Sequence, residues 1–187
     1  MTDYSLILPF ASETDQIIKQ LVWESHDSER TRGIPMVEYT QPIAQLAKDK
    51  NAFNDLIISP LAQLIVSERL KDFLNSSKDA TYFQFIPLAF KGKKAPSYFI
   101  LHCLDLVDAF DWDRSKYQLF VPDAKGDERT IRRLELMVID EKRVGARKLF
   151  TMPDYTAYQF VEKKFGEQLI AEGFTGIRLL PLKGQTD

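Results

Sequence analysis

Two blocks of this 187-residue sequence carry the same hydrophobic pattern. The first reads LIVSERLKDFL and then FQFIPL, and the second reads QFVEKKFGEQL and then IRLLPL. In both, apolar residues recur at i, i+4 and i+8, which predicts a helix with one buried stripe before a strand. Val66 precedes Val161 by 95 residues, and Pro87 precedes Pro181 by 94. A strand–helix–strand unit used twice is one interpretation. The other is chance, because an amphipathic helix followed by a strand is common.

Local signals divide the rest of the chain into further elements. Strands are predicted at Tyr4 to Leu8, Leu56 to Ile58, Tyr82 to Phe90 with an interruption at Pro87, Tyr98 to Leu104 and Ile177 to Leu180. Helices are predicted over Ile17 to Val22, over Gln41 to Asn54, after an N-cap at Ser67, and over Tyr158 to Glu172, where Gly173 ends the last.

Length and composition set the scale of the fold. A chain of 187 residues suits one domain of ordinary size, and its 13 Phe, 7 Tyr and 2 Trp supply the apolar area of a packed core. The succession of helices and strands predicts an α+β protein, with a mixed or antiparallel sheet flanked by helices on one side. We expect a single domain over residues 1–187, in which residues 1–54 form a peripheral N-terminal region and residues 55–187 form the body.

Charge and hydropathy argue against several classes of protein. Lys and Arg total 25 against 27 Asp and Glu, a net charge of −2, so no global attraction to nucleic acid or to an acidic membrane is expected. The apolar start within Met1 to Ala11 is shorter than a signal-peptide core, and no run approaches the roughly 18 apolar residues of a membrane span. The sequence therefore predicts a cytoplasmic protein with neither nucleic-acid nor membrane partners.

Side chains suited to nucleophilic or metal chemistry are scarce. The sequence has two His and one Cys, which argues against a transition-metal site and excludes an internal disulfide. His102 and Cys103 are neighbours on a predicted strand, where successive side chains point to opposite faces, so they cannot act as a nucleophile pair. The glycines form neither a phosphate-binding loop nor a serine elbow. We predict no catalytic residues, no cofactor and no metal.

The densest polar feature is the segment LDLVDAFDWDRSK, which directly follows a predicted strand. Asp111, Asp113 and Ser115 imitate the start of a calcium-binding loop. The position that requires Gly is Lys116, however, and the position that requires Glu is Pro122. Calcium binding is therefore rejected.

Three interpretations of this segment stay open. One uses a pair of its carboxylates for acid–base catalysis. Another makes it a solvated acidic rim on which Trp112 packs. The third makes it a binding surface, since an aromatic side chain among carboxylates anchors a basic partner well. The candidate partner-binding residues are Asp105, Asp108, Asp111, Trp112 and Asp113.

Basic residues gather after residue 128, and acidic residues alternate with them. Such a mixture is typical of a solvated face rather than of a nucleic-acid platform. Ile131 to Ile139 and Arg147 to Met152 flank the turn Asp140 to Gly145, which predicts a hairpin that carries these charges.

Three stretches of the sequence point to one known family. They are LIVSERLKDFL with FQFIPL, the central SYFILHCLDLVDAFDWDRS (Ser97 to Ser115), and GFTGIRLLPL (Gly173 to Leu182). In order and spacing these stretches, which cover roughly Leu56 to Leu182, resemble bacterial polymorphic-toxin immunity proteins of immunity family eleven. The resemblance implies a protein that neutralises a toxin delivered by neighbouring bacteria. The family has no catalytic residues to carry over.

From the resemblance we predict a non-catalytic immunity protein that binds a cognate toxin and occludes its active site, in a type VI secretion or related contact-dependent system. The alternative is a small hydrolase or nucleotide-modifying enzyme that uses Asp105, Asp108, Asp111 and Asp113. A third hypothesis is an oligomer-forming module built on the repeated unit, and homodimerisation is left open. The enzyme requires the carboxylates to meet in a cleft, whereas the immunity protein requires an exposed surface.

Overall fold

The fold is seen in a computed structural model that describes residues 3–11, 15, 17–23, 33–47, 52–60, 64–92, 95–119, 131–156 and 158–182. The strands in these residues are β1 (Tyr4–Pro9), β2 (Ile18–Val22), β3 (Ile43–Leu46), β4 (Leu56–Ile57), β5 (Ile65–Ser67), β6 (Phe83–Phe90), β7 (Tyr98–Cys103), β8 (Lys116–Leu119), β9 (Ile131–Leu136), β10 (Leu149–Phe150), β11 (Gln159–Glu162) and β12 (Ile177–Pro181). The α-helices are α1 (Glu68–Asn75), α2 (Glu141–Val144) and α3 (Lys163–Ala171).

The described strands form three sheets. A four-stranded sheet has the order β10-β11-β1-β12 and is antiparallel throughout. A six-stranded sheet has the order β2-β3-β6-β7-β5-β4 and is antiparallel except where β3 runs parallel to β6. β8 and β9 form a separate antiparallel pair. The predicted α+β class with mixed strand pairing is confirmed, but the strands are distributed over three sheets instead of one.

The two longer helices share one hydrophobic core with one face of each large sheet. Leu70 and Leu74 of α1 and Phe165 and Leu169 of α3 are buried in this core beside residues of β1, β5, β7 and β11. Burying each such side chain contributes about 1.5–3 kcal/mol relative to leaving it exposed. The helices therefore pack between the two large sheets and do not flank a single sheet.

Loops that follow the two helices tie the sheets together. After α3, the carbonyl oxygen of Thr175 accepts a hydrogen bond from the backbone N–H of Leu56 at 3.1 Å, which joins this loop to β4. After α1, the carboxylate of Asp79 accepts one from the backbone N–H of Lys148 at 2.8 Å, just before β10. The loop after α3 thus binds the six-stranded sheet at β4, and the loop after α1 binds the chain just before β10 of the four-stranded sheet.

The two repeated sequence blocks have the same strand order. In the first, β4-β5-β7-β6 are successive neighbours and α1 follows β5 directly; in the second, β10-β11-β1-β12 are neighbours and α3 follows β11 directly. The registers also agree, because Ile86 pairs with Ile100 as Leu180 pairs with Leu6. Leu180 lies 94 residues after Ile86, which is the offset between the two sequence blocks. Duplication of the sequence itself stays a prediction.

β1 is an interior strand of the four-stranded sheet, between β11 and β12. It occupies the place in the second block that β7 occupies in the first, although it comes from the other end of the chain. This placement differs from the expectation that residues 1–54 are peripheral. The reason is that the second block has β10, β11 and β12 but no strand of its own between β11 and β12. Tyr4–Pro9 occupies that position.

The helices predicted at Ile17 to Val22 and Gln41 to Asn54 are wrong. Ile18–Val22 is β2 and Ile43–Leu46 is β3, and the two pair in antiparallel fashion; part of the second range lies outside the described residues. Along β3, Ala44 and Leu46 are buried while Ile43 is exposed. Pairing with distant strands overrides the weak helical spacing of these short runs.

The hairpin predicted around Asp140 to Gly145 is also wrong. β9 pairs with β8, and β10 pairs with β11. Between them Glu141–Val144 is helical, because the Asp140 carboxylate accepts a hydrogen bond from the backbone N–H of Lys142 at 3.0 Å and caps the turn.

Residues that begin or end a helix are predicted more accurately than these short helices and the hairpin. Ser67 caps α1, since its Oγ accepts a hydrogen bond from the backbone N–H of Leu70 at 3.2 Å. Gly173, at φ +76°, follows α3 as predicted, but the start of the helix predicted over Tyr158 to Glu172 is wrong, because Gln159–Glu162 is β11. Pro87 does not interrupt β6. Backbone N–H groups two residues apart on a strand point to the same side, and the N–H of Ala89 points towards β3. β3 pairs with β6 only at Ala89 and Phe90, so it does not reach Pro87 and no hydrogen bond of the sheet is lost there.

Candidate functional site

The acidic segment runs from the end of β7 along two neighbouring stretches of chain. The backbone N–H of Val107 donates to the carbonyl of Thr151 at 2.9 Å, and Asp111 donates to the carbonyl of Val138 at 3.0 Å. The Oγ of Ser115 then accepts from the N–H of Val138 at 3.0 Å. These backbone contacts set where each carboxylate emerges.

Two of the carboxylates face arginines that come from much later in the chain. Nε of Arg147 donates to Oδ2 of Asp105 at 2.9 Å, and a second, shorter contact runs from Nη2 to the same oxygen. Nη1 of Arg143 donates to the carboxylate and to the carbonyl of Asp108, at 2.8 and 2.9 Å. The Asp108 pair is exposed and contributes about 0–1 kcal/mol. Both negative charges are therefore neutralised locally.

Asp111 organises the turn that follows. Its Oδ1 accepts hydrogen bonds from the backbone N–H groups of Asp113 and Arg114 at 3.1 and 2.8 Å, and its Oδ2 accepts from Nε of Arg114 at 2.6 Å. The hydrogen bond from the Arg114 backbone N–H, followed by that from its guanidinium, holds the pKa of the Asp111 carboxyl below its ordinary value. Asp111 is therefore ionised and committed to the turn.

Asp113 differs from the other three aspartates. It is exposed, and within the part of the chain that the structure describes no hydrogen bond or ion pair reaches its carboxylate. It points its charge outward at the tip of the turn, next to Trp112.

Trp112 is half-buried against an aromatic cluster. Its ring lies 4.6 Å from that of Phe110 and 5.3 Å from that of Tyr117, both in edge-to-face geometry. Phe110 continues the cluster to Tyr155, 6.1 Å away, and Tyr155 to Phe160. The expected packing of Trp112 on the segment is thus anchored in the core beneath the four-stranded sheet.

Arginines change the electrostatic character of the segment that holds the five predicted residues. Three carboxylates are engaged by Arg114, Arg143 and Arg147, so the surface alternates in sign instead of being acidic. Sequence reasoning missed these arginines because 35 and 42 residues separate the partners in two of the pairs. The alternation of basic and acidic residues after residue 128 was the available signal.

A second feature that the sequence did not reveal is an apolar groove of about 320 Å³ on the outer face of the four-stranded sheet. Its lining includes Leu6, Leu134, Met137, Tyr158 and Leu180. Tyr155 and Phe160 line it too, so the aromatic cluster under Trp112 also forms one wall of the groove.

The His–Cys neighbours of β7 are separated by the sheet. Cys103 lies in the core with α1 and α3, where burial raises the pKa of its thiol to about 11. His102 is buried, and its Nε2 lies 2.8 Å from the carbonyl oxygen of Ile34, on the other face. Because a carbonyl oxygen only accepts, this nitrogen carries the hydrogen.

Two features are absent from the described residues. In those residues, no three or more His, Cys, Asp and Glu side chains converge as metal ligands. Within the same described ranges, no helix has the length and apolar character needed to cross a membrane.

The fold and this surface define a single α+β domain with paired charges and an anchored aromatic cluster. The family is shown by direct comparison: the chain belongs to the Immunity protein family (Imm11), whose model matches residues 4–184, nearly the whole chain. The match confirms the resemblance read from the sequence and extends it into the N-terminal quarter. Among curated proteins, none matches the sequence.

Proposed function

We propose that this protein binds a cognate bacterial toxin and neutralises it without catalysis, by covering the toxin's active site. Membership of the Immunity protein family (Imm11) over residues 4–184 carries this proposal. The pairing of Asp105, Asp108 and Asp111 with arginines also supports it, since carboxylates held in ion pairs are poorly placed to act as general bases. We therefore do not propose the alternative hydrolase or nucleotide-modifying activity.

The partner-binding surface that we propose consists of Asp105, Asp108, Asp111, Trp112 and Asp113. Trp112 supplies an aromatic anchor that the core holds in place, and Asp113 supplies an exposed carboxylate. The ion pairs hold the side chains of Arg143 and Arg114 in place, so the hydrogen-bond donors and acceptors of the remaining surface have fixed positions. Such a surface selects a partner by complementary hydrogen bonds and local charge rather than by net attraction.

A toxin surface that fits would place a basic group against Asp113 and apolar atoms against Trp112. Tight inhibition requires roughly 800 Å² buried on each partner, with a few residues carrying most of the affinity. The surface around Trp112 is one part of that area. If the toxin is a nuclease, its active site is basic, and the exposed carboxylate of Asp113 would complement it.

We further propose that the protein acts in the cytoplasm against a polymorphic toxin delivered by a type VI secretion or related contact-dependent system. It needs neither a cofactor nor a nucleic-acid or membrane partner for this role. Homodimerisation remains an open part of the proposal. The shared strand order of the two blocks supports an ancestral duplication of a strand–helix–strand unit, with β1 and β7 as the added fourth strands.

Growth protection tests the function. A candidate toxin gene from the neighbourhood of the gene for this protein is expressed in a susceptible bacterium, alone and together with this chain. We expect growth arrest with the toxin alone and normal growth with both, together with co-purification of the two proteins. Growth arrest that persists although this chain is expressed and folded would overturn the proposal.

A further inference from the structure

The apolar groove on the four-stranded sheet is open although its residues are of core type. Leu180 is 41 % exposed and Tyr158 is 44 % exposed. Leu6 and Leu180 pair directly across β1 and β12, so they form a continuous apolar floor. Open apolar floors of this kind mark sites where a partner binds.

The first block shows what covers the equivalent face. Ile86 and Ile100, which correspond in register to Leu180 and Leu6, are both 0 % exposed. They lie beneath side chains from β2, β3 and the stretch before β3, among them Ala44 and Met36. The face is therefore closed at these positions in the first block and partly open in the second, where Phe150 and Phe160 of the same face are buried but Leu180 is not.

The covering element in the first block is extended chain. β3 adds to the edge of β6, and the backbone of Met36 exchanges two hydrogen bonds with the side-chain amide of Gln84, at 2.9 and 2.8 Å. β12 corresponds to β6, and among the described residues its outer edge has no neighbouring strand. An extended strand is thus the element that fits this geometry.

The positive charge of Arg178 at one end of the groove indicates which kind of side chain a bound segment would carry. Arg178 is exposed on β12, two residues before Leu180, so both side chains point to the outer face. In the described part of the chain, no carboxylate pairs with its guanidinium. A carboxylate on the occupant would complement this charge.

We propose that the groove receives an extended apolar segment of the cognate toxin, which adds along β12 and places an acidic side chain against Arg178. The inference rests on the proposed function and names a second contact of the same interface. Tyr155 joins the two contacts, because it lines the groove and packs on Phe110, the ring that supports Trp112.

Calorimetric titration with an inactive form of the toxin domain encoded by the neighbouring gene tests the proposal. Leu180→Glu puts a charge on the groove floor, and Ile170→Glu is the matched control, since Ile170 is 48 % exposed on α3, away from the groove. We expect Leu180→Glu to weaken binding by about tenfold or more, as for a residue at the centre of an interface, and Ile170→Glu to leave it within about twofold. Arg178→Glu should weaken binding several-fold, and less so at high salt.

Hydrogen exchange in the complex should slow at those backbone N–H groups of residues 177–180 that face the open edge. Thermal unfolding of Leu180→Glu checks that the variant is folded. If the wild-type protein binds the toxin and Leu180→Glu binds equally well, the groove is not the contact, while the proposed function stands. If the wild-type protein does not bind the toxin, the proposed function fails and this inference with it. A wild-type dimer that Leu180→Glu dissociates would assign the groove to a second copy of the chain and overturn the toxin as occupant.

Discussion

Asp55 and Thr175 bind each other reciprocally although 120 residues separate them. The backbone N–H of Thr175 donates to the Asp55 carboxylate at 3.0 Å, and the backbone N–H of Asp55 donates to Oγ1 of Thr175 at 3.1 Å. The same carboxylate accepts from Oγ of Ser67 at 2.6 Å and from Nη1 of Arg69 at 3.1 Å. One buried side chain thus joins β4, the start of α1 and the loop after α3.

Asp55→Ala should therefore destabilise the fold strongly. It removes the acceptor that the Ser67 hydroxyl, the Arg69 guanidinium and the Thr175 N–H share. Arg69 is half-exposed and keeps two backbone carbonyls as acceptors, so the loss comes mainly from the other two donors. Each hydrogen bond to a charged group contributes about 1.5–3 kcal/mol. Urea unfolding followed by circular dichroism measures this cost. Asp72→Ala is the control, because the Asp72 side chain is 66 % exposed and its ion pair with Lys71 is a surface pair. Equal unfolding midpoints for the two variants would refute the role of Asp55.

Gly176 packs where no side chain fits. Its φ is +75°, and a Cβ at this position would overlap the carbonyl oxygen of Leu56 and the side chain of Asn54. Gly92 has nearly the same φ, +70°, but a Cβ there would meet nothing within 4 Å. Gly92→Ala therefore measures the cost of the left-handed backbone alone, about 1 kcal/mol, and Gly176→Ala adds about 1–3 kcal/mol of steric overlap. Equal losses in unfolding free energy would show that the loop after α3 is not seated against β4.

The Asp111 turn makes a prediction about pH. A carboxyl whose pKa is lowered in the folded state stabilises the fold above its unfolded pKa, and that contribution is lost as pH falls through the folded value. We expect NMR titration to place the Asp111 pKa below the ordinary value of about 3.9. Arg114→Gln should raise this pKa only part of the way, because the backbone N–H of residue 114 still donates to Oδ1. An unchanged pKa in the variant would assign the whole effect to the backbone.

Features read correctly from the sequence are those that neighbours in the chain decide. Ser67 as an N-cap depends on the three residues that follow it, and the strands β6 and β7 each depend on one continuous run of apolar residues. β2 and β3 were misread as helices because their pairing partners lie elsewhere in the chain.

In the candidate site, too, the sequence predicts the local features but not the contacts between distant residues. The sequence predicts the turn of acidic residues and the packed Trp112. It does not predict that Arg143 and Arg147 cancel two of the charges, since contacts over 35 and 42 residues depend on how the sheets are arranged. The open groove is still harder to foresee, because it depends on which strand face the rest of the chain leaves uncovered.

Asp113 gives the sharpest test of the proposed surface. It is exposed and, among the described residues, takes part in no ion pair, so Asp113→Arg should leave the unfolding temperature unchanged. If its carboxylate faces a basic group of the toxin, the reversal should weaken binding by about tenfold. Asp72→Arg, on α1, is the matched charge reversal and should leave affinity unaltered. Loss of affinity in both variants would point to net charge rather than to this surface.

The central claim is that this chain inhibits a toxin by binding it. The most direct measurement is the activity of the purified toxin as this protein is added in increasing amounts. A non-catalytic inhibitor should reduce the activity linearly, with complete loss at equimolar protein, and Asp113→Arg should require a clear excess to reach the same loss. Full toxin activity in a large excess of the folded wild-type chain would contradict the account, as would complete inhibition by an amount far below equimolar.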